Sequence, residues 1–180
     1  MNVNATLTEK ARRIRMVILD IDGVLSDGAI HIGSEGELFK AFYVRDGLGI
    51  KMLQKAGIPV GIITGRSSEI VARRAEELDI TDLAQGQRFK TNAWEAMLRE
   101  HGLQEDEVAY MGDDVPDLPL LMRAGLAATP ADGIEELDAI VDWRARHPGG
   151  RGAVRELSEL ILRSRGLWDE LIQRTYVEGK

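Results

Sequence analysis

Two carboxylates separated by one residue, Asp20-Ile21-Asp22, close the apolar run 16–21 and are followed by Gly23. A continuous apolar run of this length reads as a strand buried on both faces. Side chains two apart on a strand point the same way, so with a turn at Gly23 both acids can face one small site. Two acids this close repel unless a proton or a cation separates them. The pair therefore reads as a Mg²⁺ site in which one carboxylate doubles as a nucleophile. A calcium loop counted from Asp20 would need an acid, a glycine and a glutamate where the chain has Val24, Leu25 and His31, so that alternative fails. A plain strand-to-turn boundary, where Asp and Gly are common, accounts for this motif about as well when it is taken alone.

Two further constellations stand at the ends of apolar runs, and a third signal is a lysine that opens a helix. Asp113, Asp114 and Asp117 follow the run 108–112 and open a helical segment. Oxygen donors there suit a hard cation, although helix capping by Asp114 explains one of the three. Thr64-Gly65-Arg66-Ser67 follows 58–64, a hydroxyl and backbone amides ahead of a helix, which makes an anion site. Lys90, after Gly86-Gln87-Arg88, starts another helix and gains meaning only beside the others.

The elements that must carry these residues alternate. Strands are expected at 16–21, 58–64 and 108–112, with weaker candidates at 126–129 and 139–142. Helices are expected at 48–56, at 67–78 with Ser67 as N-cap, at 92–101 and at 115–124. Alternation of this kind predicts an α/β fold with a doubly wound parallel sheet, and ligands bind such sheets beyond the carboxyl ends of the strands. Residues 29–44 break the alternation. They read as a β-hairpin flap around the four-residue loop Gly33-Ser34-Glu35-Gly36. Near the end, Val154, Leu157, Leu160 and Ile161 form one apolar helical stripe, followed by Leu167, Trp168, Leu171 and Ile172. Two such helices, within a C-terminal helical segment at about 150–180, are expected to cover a sheet face.

The 180 residues, 44% hydrophobic and 29% charged, predict a single globular domain over 1–180. The absence of cysteine excludes disulfides, thiolate metal sites and cysteine nucleophiles. A net charge of −7 argues against a general nucleic-acid binder. The basic start of the chain leads into an apolar stretch that stops at Asp20, too short for a signal peptide, and no segment is long enough to span a membrane, so a cytoplasmic protein is expected.

In order, the strand ends carry Asp20/Asp22, Thr64, Lys90 and Asp113/Asp114/Asp117. This series resembles the four motifs of the haloacid dehalogenase superfamily of phosphotransferases, from Val17 to Asp117. Adding Val44-Arg45-Asp46-Gly47, Gly65-Arg66, Gln85-Gly86 and the terminal Gly149-Gly150-Arg151-Gly152-Ala153-Val154-Arg155-Glu156, the chain is similar over about 14–164 to the 3-deoxy-D-manno-octulosonate 8-phosphate phosphatase family, whose members lack an inserted cap domain. Tyr43 departs from that pattern, where a smaller polar residue is expected.

The resemblance implies the following roles. Asp20 is the nucleophile and Asp22 the general acid and base, while Thr64 and Lys90 hold the transferring phosphoryl group. Mg²⁺ is held by Asp20, Asp113 and the backbone carbonyl of Asp22. Asp114 and Asp117 orient Lys90 or metal-bound water. The substrate implied is a sugar-acid phosphate, contacted by Asp22, Tyr43, Val44, Arg45, Asp46, Gly47, Lys51, Arg66, Arg74, Lys90 and Arg151. Helical pairing with Glu77 is a rival reading for Arg74. A sialic acid 9-phosphate phosphatase and a non-catalytic module on the same fold are the alternatives.

The resemblance also implies a homotetramer. The apolar residues Ile30, Ile32, Leu38, Phe39 and Phe42 make the hairpin its expected seat, because a lone hairpin is marginal in water. The Gly149–Gly152 segment reads as a mobile loop. Its Arg151 is expected to meet the substrate, in the same subunit or a neighbouring one.

Overall fold

The computed structural model describes residues 5–179. Six parallel strands form one sheet: β1 (Met16–Leu19), β4 (Val60–Ile63), β5 (Asp82–Ala84), β6 (Val108–Met111), β7 (Leu126–Thr129) and β8 (Trp143–Arg144), in spatial order β5-β4-β1-β6-β7-β8. The hairpin strands β2 (His31–Gly33) and β3 (Gly36–Phe39) pair only with each other. The strand order reverses beside β1, and Asp20 stands at that switch point, where ligands meet open α/β sheets.

Helices cover both faces because the central strands are buried on both. Val17, Leu19, Val60, Ile62, Met111 and Ala128 face α1 (Ala5–Arg13), α2 (Val44–Lys55), α3 (Glu69–Glu77) and α6 (Ala153–Ser164). On the other face, Met16, Ile18, Ile63, Val108 and Tyr110 meet α4 (Thr91–His101) and α5 (Leu118–Leu121). The expected C-terminal stripe is fully buried in α6. Leu167, Trp168, Leu171 and Ile172, around α7 (Trp168–Leu171), lie half-buried against the same core. The Arg155 and Arg163 guanidiniums lie over the Trp168 ring, 5.2 and 4.3 Å from its centroid. Between β1 and α2 only the hairpin intervenes, and no cap domain is inserted there. No helix among the described residues is long and apolar enough to cross a membrane.

Several sequence expectations are corrected. The strand expected at 139–142 forms instead at Trp143–Arg144, since 135–139 coils into a 3₁₀ turn. The hairpin connection has two residues, Ser34 and Glu35, because Gly33 pairs directly with Gly36. Ser68, not Ser67, caps α3, accepting from Val71 N at 3.4 Å. Pro116 and the Asp114 cap break the expected helix 115–124 into a 3₁₀ turn and the short α5. β5 and α1 carry no periodic signal strong enough to be expected: β5 has three residues and α1 a largely polar sequence.

Candidate active site

Four strand ends converge. Asp20 follows β1 and is fixed through its N–H, which donates to Met111 O at 3.1 Å. Lys90, the N-cap of α4, reaches across and donates to Asp20 Oδ1 at 2.7 Å and Asp117 Oδ1 at 2.6 Å. All three side chains are nearly excluded from water. An ammonium so buried persists only with carboxylates beside it. Burial works against its charge, but Asp20 and Asp117 outweigh that and raise the Lys90 pKa.

Asp117 is fully committed. It also accepts from Tyr110 Oη at 2.6 Å and from the N–H groups of Asp113 and Asp114 at 3.0 and 3.3 Å. Gly112 makes room for it, since a Cβ there would lie 2.3 Å from Asp117 Cγ. Asp113 in turn lies over Gly23, where a Cβ would come within 2.0 Å of Asp113 Oδ2 and where φ is +91°. Only glycine satisfies both demands at position 23.

Carboxylate oxygens of Asp20, Asp113 and Asp117 fall within 4.8 Å of one another. Burial, together with the Asp117 charge and despite Lys90, pushes the Asp20 pKa up to about 6. Burial, then Asp117 and Asp20, push Asp113 up to about 7. Acids so strained by one another, with hard oxygen donors, fit a divalent cation. Asp117 is taken up by Lys90 and Tyr110, which leaves Asp20 and Asp113 as the side chains for it. The Asp22 carboxylate stands apart from this cluster, so any share it has in a cation passes through its backbone.

Asp22 meets a second set of charges. Its Oδ1 accepts from Lys40 Nζ at 2.5 Å, and its Oδ2 is 3.6 Å from Arg66 Nε. Thr64 is buried directly after β4, the strand beside β1.

The remaining expected contacts divide. Tyr43, Arg45 and Arg151 line one cavity of about 350 Å³ together with Leu48, Arg146 and Arg155. Val44 is exposed at the mouth of α2. Four others are not brought to that opening. Asp46 is buried and turned to α6, where it accepts from Gly152 N and Arg155 N. Gly47 is buried against Arg74, whose Nη2 would lie 2.5 Å from a Cβ there. Arg74 pairs with Glu77 at 2.8 Å and covers the half-buried Phe42 ring, so the helical pairing wins. Lys51 pairs with Asp79 at 2.5 Å, near the C-terminal end of α3. The glycine loop, expected to be mobile, is held from two sides: Gly149 N donates to Asp132 Oδ1, in the segment after β7, at 2.9 Å, and Gly150 N to Val24 O, in the turn after β1, at 2.8 Å.

Sequence reading missed Lys40, Glu37 and Tyr110. Tyr110 reads as one more core residue of a strand. Lys40 does carry a signal in its place inside Leu38-Phe39-Lys40-Ala41-Phe42: a lone cation in an apolar run needs a partner.

Comparison with known proteins agrees with this geometry. A family model described as haloacid dehalogenase-like hydrolase matches residues 31–125. The 3-deoxy-D-manno-octulosonate 8-phosphate phosphatase of Escherichia coli K12 is 45% identical over 168 residues, covering 93% of this chain and 89% of that one. The crystal structure of the phosphatase of that name from Yersinia pestis superposes with a TM-score of 0.91 at 42% identity, over 93% of this chain and 90% of that one. The Moraxella catarrhalis enzyme, solved with a magnesium ion, a phosphate ion and a KDO molecule, gives 0.90 at 43% identity, over 93% and 97%. The chain therefore belongs to the haloacid dehalogenase-like hydrolases and, within them, to the 3-deoxy-D-manno-octulosonate 8-phosphate phosphatase family.

Proposed function

We propose that this chain hydrolyses 3-deoxy-D-manno-octulosonate 8-phosphate to the free sugar acid and inorganic phosphate, through an aspartyl-phosphate on Asp20. The observation that carries the proposal is Lys90 bound between Asp20 and Asp117 at the sheet's switch point, in a chain 45% identical to a phosphatase of that name. Lys90 holds the Asp20 carboxylate in place for attack on phosphorus and faces the charge that develops there. As the bond between phosphorus and the sugar oxygen breaks, Asp22 gives its proton to that oxygen. Asp22 then takes a proton from the water that attacks the phosphoryl group, and the bond from phosphorus to Asp20 breaks. Thr64 holds phosphoryl oxygens. Asp20, Asp113 and the Asp22 carbonyl would hold Mg²⁺, which supplies positive charge against the repulsion between carboxylate and phosphate.

Arg45, Arg66 and Arg151 are the cations left for the sugar carboxylate, once Lys51 and Arg74 are tied elsewhere. Ile32, Leu38 and Phe39 are 71%, 63% and 51% exposed on the hairpin, which supports assembly through it into a homotetramer. The same reading places the enzyme in the cytoplasm, in the synthesis of lipopolysaccharide precursor.

Phosphate release from a panel of sugar phosphates, with Mg²⁺ and with chelator, tests the reading. The octulosonate 8-phosphate should be the best substrate. A preference for a sialic acid 9-phosphate would move the specificity, and no Mg²⁺-dependent release from any member would remove the activity.

A further inference from the structure

Lys40 has no role in the steps of this reaction, yet among the described residues it is one of the most deeply buried cations, its side chain 1% exposed. It leaves the end of β3 and inserts between two carboxylates, 2.5 Å from Asp22 Oδ1 and 3.2 Å from Glu37 Oε1. Glu37, on β3 itself, accepts from the hydroxyl of Ser68, the cap of α3, and has Arg66 Nη2 at 3.7 Å. Asp22 has a weaker second contact to Ser26 Oγ at 3.4 Å. The hairpin is thus fastened at two points: to the head of α3 through Glu37, and to Asp22 through Lys40. Of the groups around Asp22, Lys40 alone makes a short and direct bond. Arg66, at 3.6 Å and 45% exposed, is the looser partner.

We propose that Lys40 is a positioning residue for Asp22. By occupying Oδ1 it fixes the rotation of the carboxylate and leaves Oδ2 as the atom that carries the proton to the leaving oxygen. The hairpin is then part of the catalytic apparatus through a side chain on its inner side. This rests on the acid/base reading of Asp22. A misplacement of about 1 Å can cost roughly 100-fold in rate, and general acid catalysis contributes roughly 10²–10⁴-fold. The loss should therefore fall on the step that needs a proton.

The test compares wild type, Lys40→Met, Lys40→Arg, Asp22→Asn and the Asp22→Asn/Lys40→Met double variant. Each is assayed on the best sugar phosphate of the panel, and by the pre-steady-state burst of nitrophenol from p-nitrophenyl phosphate. That burst reports transfer to Asp20 with a leaving group that needs no proton. For Lys40→Met, kcat on the sugar phosphate should fall roughly 100-fold, with KM within about threefold and the burst rate kept. Lys40→Arg should recover part of kcat. On the Asp22→Asn background the Lys40 change should add nothing, since two residues acting as one unit are not additive. If the buried Glu37 left behind prevents folding of Lys40→Met, the Glu37→Gln/Lys40→Met variant removes both charges and is read in the same way. Unchanged kcat in a folded Lys40 variant, equal losses in turnover and burst, or losses that multiply on the Asp22→Asn background would overturn the proposal. Wild-type turnover by Asp22→Asn would instead sink the acid/base reading itself.

Discussion

The Asp46 carboxylate, on α2, closes the N-terminus of α6, accepting from Gly152 N at 3.1 Å and from Arg155 N at 2.8 Å. The N-cap position itself is Gly152, which has no side chain to offer, so the cap comes from another helix. Burial raises the Asp46 pKa above its ordinary value, the backbone hydrogen bonds and nearby His147 offsetting only part of the rise. Asp46→Ala should cost about 1–3 kcal/mol of stability, combining a lost cap with orphaned buried N–H groups. It should also loosen Arg151 and so raise KM. Equilibrium urea unfolding and steady-state kinetics check both, and an unmoved unfolding midpoint would return Asp46 to a ligand-facing role.

Asp20→Asn keeps the shape and removes the nucleophile. Turnover should fall roughly a thousandfold or more. The fold should persist, since Asn keeps the shape and Asp117 still pairs with the buried Lys90 ammonium. Circular dichroism beside a phosphate-release assay decides, and Mg²⁺-dependent turnover near the wild-type rate would refute the assignment.

Metal and pH should be linked through Asp20 and Asp113. Folding lifts their pKa values from 3.8 to about 6 and about 7. The metal-free protein therefore keeps their full contribution to stability below about pH 4 and loses it as the pH rises through 6 to 7. Mg²⁺ takes the ionised forms, so its binding releases protons over the same interval. The rise in Tm on adding Mg²⁺ should grow between about pH 5 and pH 8 and then level off. Differential scanning fluorimetry with and without the ion measures it directly. A rise of the same size at both ends of that range contradicts the linkage, and Asp113→Asn should flatten it.

If the hairpin seats the proposed tetramer, the wild-type chain should scatter light as a tetramer and Leu38→Asp, on its exposed face, should give smaller species, because a charge cannot be buried there unpaired. The isolated wild-type chain staying a monomer at micromolar concentration would show instead that Ile32, Leu38 and Phe39 remain in water.

Much of this was legible in the sequence, for definite reasons. Runs such as Val60–Ile63 and Val108–Met111 are buried on both faces and therefore apolar throughout, which is the pattern of a parallel central strand. The acids at their ends stand out against it. β5, with Asp82 partly open and only three residues long, has no such contrast. Asp46 and Lys40 were misread or missed for one physical reason. Each satisfies a partner on another element, Gly152 at the head of α6 for Asp46 and Asp22 in the turn after β1 for Lys40, and no local periodicity encodes such a pairing. Arg74 is the converse, since its acid Glu77 lies one helical turn away, a pairing that helical spacing does encode.

A Cβ at Gly149 would lie 1.8 Å from Gly23 O, and Gly150 N donates to Val24 O, so the turn that follows Asp20 leans directly on the glycine loop. The turn emerges from a ribosome well before its buttress. Until residue 152 is clear of the exit tunnel, the turn has neither that support nor the face of the core that α6 covers. Its completion thus waits for a segment far downstream of it. Stalled nascent chains ending before residue 149 should be cleaved by protease near Gly23, and chains long enough to expose α6 should be protected there.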